Sequence, residues 1–124
     1  MKYLFFIALG GAAGAVGRYS AARWVHSVWQ GSWPLGTLLI NLSGCAAMGA
    51  VFVLVERSAL HPDWRAVLMV GFLGAFTTYS TFSLEALQLW QAGQGGQALG
   101  YMLLTPLGCV LAAAAGMQCA RALL

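Results

Sequence analysis

Charge is what this sequence has least of. Nine of its 124 side chains are charged, six basic and three acidic, which is 7% of the chain. A water-soluble domain carries about 25% charged residues. Nine charges cannot cover a water-facing surface, so a soluble enzyme, a nucleic-acid binder and a disordered chain are excluded. The pI of about 9.0 reflects a net charge of only +3, and it marks basic residues at membrane boundaries, not a nucleic-acid surface. Metal-binding side chains are equally scarce. His26 and His61 fall between apolar runs, while Cys45, Cys109 and Cys119 fall within them. No pair has the spacing of a zinc site, and the odd count reads as small packing residues. Long polar stretches are missing too, so no second domain has room to fold.

What is present is hydrophobic. Sixty per cent of the residues are apolar and the mean hydropathy is +0.78. A helix needs about 20 apolar residues to cross the hydrocarbon core. Four stretches qualify, at about residues 3–25, 35–55, 66–90 and 98–123. Together they predict an all-α membrane protein with four transmembrane helices in a single domain. Arg18 and Arg23 interrupt the first stretch near its far end, the second has no charge, the third holds only Glu85, and Arg121 ends the fourth. The start, Met1-Lys2 before an apolar run, also resembles a signal peptide. The run continues to a second arginine, however, and cleavage would leave three spans with no soluble domain to export.

The connectors are short. Trp29 and Trp33 in the first suit the membrane interface. The second holds Pro62 and five ionisable residues, and the third is a turn rich in Gly and Gln. With four spans both termini share a side, which carries Lys2, Arg57, Arg65 and Arg121 against Arg18 and Arg23 on the other. This weak bias allows insertion in both directions, so an antiparallel homodimer is an available architecture.

Polar residues inside the spans carry the functional signal. Asn41 lies near the middle of the charge-free stretch, and Thr37, four residues earlier, shares its face. Such an amide either ties two helices together or lines a pore. The glycines Gly10 and Gly14, Gly44 and Gly49, Gly71 and Gly74, and Gly108 and Gly116 let helix backbones approach closely in lipid. The third stretch places five hydroxyl residues and Tyr79 in the seven positions 77–83, after Gly71 and Gly74. Two readings stand. The helix is continuous, with hydroxyls bonded to the preceding turn; or it breaks, and its freed carbonyls face protein, water or an ion. Helical spacing groups Thr77, Thr81, Glu85 and Gln88 on one stripe, Tyr79 and Phe82 on another, and Ser80 and Ser83 on a third. No carboxylate lies deep in a span, so Glu85 suits a vestibule or a helix cap.

The same residues resemble the Fluc/CrcB fluoride channels over essentially the whole chain. The first span has Gly10-Gly11-x-x-Gly14-Ala15-x-x-Arg18-Tyr19. The second has Pro34-Leu35-Gly36-Thr37-Leu38-x-x-Asn41-Leu42-x-Gly44, and the third has Gly71-Phe72-x-Gly74-x-x-Thr77-Thr78-Tyr79-Ser80-Thr81-Phe82. The resemblance implies an antiparallel dual-topology homodimer with two anion pores, in the bacterial inner membrane. It implies a broken third helix and a structural sodium ion (Na+) at the dimer centre, held by the backbone carbonyls of Gly74 and Thr77 from each subunit. It maps the pore-lining amide to Asn41, with Thr37, Ser80 and Ser83 as further pore hydroxyls, and the vestibule cation to Arg18. The family's pore aromatics map to Tyr79 and Phe82, where Tyr79 departs from the usual Phe. Thr105 is the fourth-span pore hydroxyl by position alone.

The chemistry suits the ion. Fluoride is small and holds its water tightly, so a pore must replace that shell without trapping the ion. Amides, hydroxyls and the positive edges of aromatic rings are neutral groups that do so. Its partners would be fluoride, lipid and a second copy of the chain, with no nucleic acid. A proton-coupled exporter of the small multidrug resistance type would share the length and the dual topology but requires an embedded acid. A non-transporting assembly subunit would explain the glycines but not the polar cluster. No nucleophile, base and acid sit together in the spans, so the chain is not read as an enzyme.

Overall fold

The computed structural model describes residues 1–124 and contains no strand. Helix α1 spans Lys2–Val28 and α2 spans Leu35–Glu56. The third crossing is assembled from a π-helical segment, Arg65–Leu73, a single turn α3, Gly74–Phe76, and a helix α4, Tyr79–Gln91. Helix α5 spans Gly95–Leu123. Lys2–Val28, Leu35–Glu56, Arg65–Gln91 and Gly95–Leu123 are each long and apolar enough to cross a membrane. The protein is therefore an all-α, multi-pass membrane protein.

Local chemistry sets the ends of these elements. Helix α2 runs without charge until Glu56 and stops at Arg57. The α4–α5 turn is made at Gly93, whose φ of +81° lies in the left-handed region open to glycine. Lys2 Nζ pairs with Asp63 Oδ1 at 3.4 Å, tying the start of α1 to the α2–π connector. Pro106 sits inside α5, where it cannot donate to the carbonyl of Met102.

Two features of the third crossing differ from a plain helix. Thr77 (φ −78°, ψ 155°) and Thr78 (φ −148°, ψ 123°) are extended between α3 and α4. The helical count does not run through them, so Thr77 leaves the stripe that spacing shares among Thr81, Glu85 and Gln88. The stretch before them winds as a π-helix, with wider turns and i→i+5 bonding.

Packing in lipid is governed by backbone contact. Helix α1 lies against the π segment, and α2 lies against α5. A Cβ on Gly10 would strike the carbonyl oxygen of Val67, and one on Gly14 that of Phe72. A Cβ on Gly116 would strike the carbonyl oxygen of Ala46, and one on Gly49 that of Ala113. Glycine lets the two backbones touch, which is the main way helices associate without a hydrophobic driving force. The core that results is small, built from Leu38, Phe82, Ala86, Leu89, Ala98 and Tyr101. Leu107, Val110 and Leu111 of α5 stay exposed, as lipid-facing residues do.

The α2–α5 contact yields a direct test. Gly116→Ala places a methyl group against the Ala46 main chain and should cost about 1–3 kcal/mol. Gly96→Ala, with nothing within 4 Å of its Cβ, should be neutral or stabilising by up to about 1 kcal/mol. Thermal denaturation of the detergent-purified protein reads both.

Candidate functional site

The extended pair Thr77–Thr78 organises the site. A regular α-helix would bond the Thr78 N–H to the Gly74 carbonyl and the Thr81 N–H to the Thr77 carbonyl. Neither bond forms. The Thr78 N–H donates to Asn41 Oδ1 at 2.7 Å, and the Thr81 N–H donates to Thr78 Oγ1 at 3.3 Å. Asn41 Nδ2 then donates to the Thr78 carbonyl at 2.9 Å. One side-chain amide thus meets both backbone groups of Thr78, as a neighbouring strand would. Arg18 Nε donates to the Ala75 carbonyl at 3.2 Å, placing a cation at the C-terminal end of α3. Thr77 Oγ1 donates to the Leu73 carbonyl at 2.9 Å, the back-bonding expected of a continuous helix, at the residue where the helix stops.

The extended pair leaves the carbonyls of Gly74, Ala75, Phe76 and Thr77 without their helical donors; Arg18 takes that of Ala75, and those of Gly74 and Thr77 are among the ones left over. A backbone carbonyl without its helical donor can replace a water in the shell of a small hard cation. These residues therefore fit a sodium ion without any carboxylate.

Beside the extended pair lies a cavity of about 180 Å³, bounded by α2, α4 and α5. Asn41, Thr77, Thr78, Tyr79, Phe82 and Thr105 line it, with Cys45, Pro106 and Cys109. Asn41, Phe82 and Thr105 are only 6%, 5% and 5% exposed. Thr105 Oγ1 is buried and bonds to no protein group. Asn41 retains a second amide N–H beyond the one given to Thr78. The Tyr79 and Phe82 rings meet edge to face, 5.4 Å apart at 70°. Every polar group in the wall is an amide, a hydroxyl, a thiol or a backbone atom, so the cavity is neutral.

The remaining expected residues lie around this centre. Thr37 is buried one turn before Asn41. Ser80 and Ser83 stand on the exposed side of α4, and Ser83 Oγ donates back to the Tyr79 carbonyl at 3.0 Å. Neither serine lines the Asn41 cavity. Tyr79 is 75% exposed, and with Phe82 and Ser83 it also borders an outer apolar groove with Trp90 and Met102. Glu85 accepts from the Tyr101 hydroxyl at 3.3 Å and faces a polar vestibule of about 330 Å³ with Gln88 and His26.

Sequence reasoning missed four residues here: Thr78, Tyr101, Cys45 and Cys109. Tyr101 is fully buried and packs on the Phe82 ring at 5.0 Å. Spacing could have found three of them. Tyr101, Thr105 and Cys109 follow one another at four-residue intervals on α5, as Thr37, Asn41 and Cys45 do on α2.

Asn41→Leu should orphan the Thr78 N–H and carbonyl, at a cost of about 1–3 kcal/mol for each group. Thr78→Val removes the cap of α4 and should cost about 1 kcal/mol, while Thr78→Ser keeps it and should stay close to the parent. Melting temperatures in detergent order the three variants.

Known proteins resemble this chain over most of its length. The family model described as "CrcB-like protein, Camphor Resistance (CrcB)" matches residues 5–117. The Hahella chejuensis "Fluoride-specific ion channel FluC" is 46% identical over 125 residues, covering 100% of this chain and 98% of that protein. The Moorella thermoacetica "Fluoride-specific ion channel FluC 1" is 49% identical over 80 residues, 64% of this chain and 56% of that protein. A protein named "Fluoride-specific ion channel FluC" from Nitratidesulfovibrio vulgaris is 46% identical over 80 residues, 64% of each chain. The chain thus matches nearly all of the Hahella relative and less than two thirds of the other two. The family match runs through all the helices that bound the cavity, and the chain belongs to the CrcB-like family.

Proposed function

We propose that this protein is a passive, fluoride-selective channel that lets the ion leave the cytoplasm down its gradient. The observation that carries the reading is the neutral cavity in which Asn41, Phe82 and Thr105 converge. Fluoride must exchange a tightly held water shell for protein donors, and must leave again. The spare Asn41 N–H, the partnerless Thr105 hydroxyl and the Phe82 ring edge supply donors and positive charge density without a full charge. The names of the relatives point to the same ion. Arg18, anchored through Nε at Ala75, serves as the vestibule cation that raises the local anion concentration. A proton-coupled exporter receives no such support, because Glu85 lies at the vestibule, bonded to Tyr101, and not within the Asn41 cavity.

The working form is an antiparallel, dual-topology homodimer in the bacterial inner membrane. The outer groove along α4 and α5, with Tyr79 and Trp90 on its rim, suits a second copy. The helix break then meets its counterpart, and the Gly74 and Thr77 carbonyls of both subunits supply four oxygens for one structural sodium. The Gly74 and Thr77 carbonyls would hold sodium there, which would offset their converging dipoles. Glycine at position 74 keeps that meeting open: within one protomer its Cβ would find nothing nearer than the Met69 carbonyl oxygen at 3.4 Å.

Liposomes carrying the purified protein test the activity. Fluoride efflux should be fast and chloride efflux absent. Asn41→Asp sets a negative charge in the anion's path and should abolish efflux. Phe82→Ile should reduce it steeply, while Tyr79→Phe should conduct. Absence of fluoride efflux from the parent protein would overturn the proposal.

Sodium has its own test. Purification in a large organic cation in place of sodium should lower efflux or dimer stability, and restored sodium should recover both. Gly74→Val should weaken the dimer. A dimer indifferent to both changes would remove sodium from its centre.

A further inference from the structure

We propose that Cys45 and Cys109 form a two-thiol site for a soft, thiophilic cation inside the Asn41 cavity, and that its occupation closes the path to anions. The second half of this proposal rests on the reading of that cavity as the fluoride path.

Both thiols are free, and both line the same cavity. Cys45 lies one turn beyond Asn41 on α2, and Cys109 lies one turn beyond Thr105 on α5. They reach the cavity from two packed helices, α2 and α5. The helices are held together from nearby: α2 and α5 touch at Gly49 and Gly116, where no Cβ could fit. The two thiols therefore line one cavity from two rigid elements, a donor pair suited to two-coordinate binding of a soft metal. Hard cations are not served, because the pair offers no carboxylate. The same wall contains the buried Thr105 hydroxyl, which has no protein partner. The cavity thus has unmet polar capacity beside the thiols.

The chemistry balances without an oxidant. A divalent thiophilic ion binds two thiols, two S–H bonds break, two metal–sulfur bonds form, and two protons leave to solvent. The product is a neutral bis-thiolate, which a membrane interior tolerates far better than a free divalent ion. It would lie between Asn41 and Thr105, in a space of about 180 Å³. Cys119 is exposed and does not line the cavity, so it forms no part of the site.

The test uses Hg²⁺ as the probe and Cys119→Ser as the background, a change expected to leave efflux unaltered. In detergent, the protein should take up about one Hg²⁺ per chain, release about two protons and show a mercury–thiolate absorption band. In liposomes, Hg²⁺ should reduce fluoride efflux about tenfold or more, and dithiothreitol should restore it. Cys45→Ser and Cys109→Ser should each lose the band and the proton pair, and should lose the block relative to their own basal rate. Unchanged uptake in either single variant would overturn the site. Uptake through both thiols with efflux intact would overturn the closure and take the cavity out of the anion path. A parent protein without fluoride efflux would overturn the channel reading, while uptake by both thiols would still uphold the site.

Discussion

A chain in lipid can interrupt a helix only where the freed peptide groups find other partners. Here a single side chain supplies two of them. Asn41 receives the Thr78 N–H and donates to the Thr78 carbonyl, and its partner lies 37 residues further along the chain. The Thr78 hydroxyl, left facing forward, starts α4 by accepting from Thr81. The Arg18 guanidinium holds the other side of the gap at Ala75. Three elements therefore converge on two extended residues. The cavity exists because the interruption is pinned from α1 and α2 at once.

Pinning at this range requires the helices to stand closer than ordinary side chains allow. Glycine provides that approach on both flanks. Gly10 and Gly14 bring α1 onto the main chain of the π segment, which puts Arg18, one further turn along, within reach of Ala75. Gly49 and Gly116 bring α2 onto α5, which puts Thr105 across from Asn41. The polar chemistry and the small-residue packing are thus one design. A methyl group added at Gly49 or Gly116 would therefore bear on the donors in the cavity.

Much of this was legible in the residues. Four apolar runs and scarce charge define the crossings, and an Asn in a charge-free span marks itself as something that must be bonded. The glycines and the hydroxyl cluster locate the close contacts and the weak stretch of the third crossing. Other features were not legible, for identifiable reasons. The partner of Asn41 is a backbone, which carries no residue signature. The π winding of Arg65–Leu73 leaves no mark that hydrophobic periodicity can separate from an α-helix. Ser80 and Ser83 look equivalent to Thr105 as hydroxyls, but helical phase turns them to the exposed side of α4. Phase after an interruption cannot be counted from before it, which is also why Thr77 leaves its expected stripe. Tyr101 was hidden by its setting in an ordinary apolar run, although four-residue spacing joins it to Thr105.

The π segment has a further consequence. Each residue of an α-helix turns the chain by about 100°, and the wider turns of a π-helix advance it by less. The nine residues Arg65–Leu73 therefore act as an angular spacer, setting the direction in which Thr77 and Thr78 leave the helix. Many of their side chains are simple apolar groups, but what sets that direction is their number. Loss of one residue that rewound the stretch to an α-helix would swing the extended pair away from Asn41. This part of the molecule can drift in composition while its length is held constant, so its history should be rich in substitutions and nearly empty of insertions and deletions.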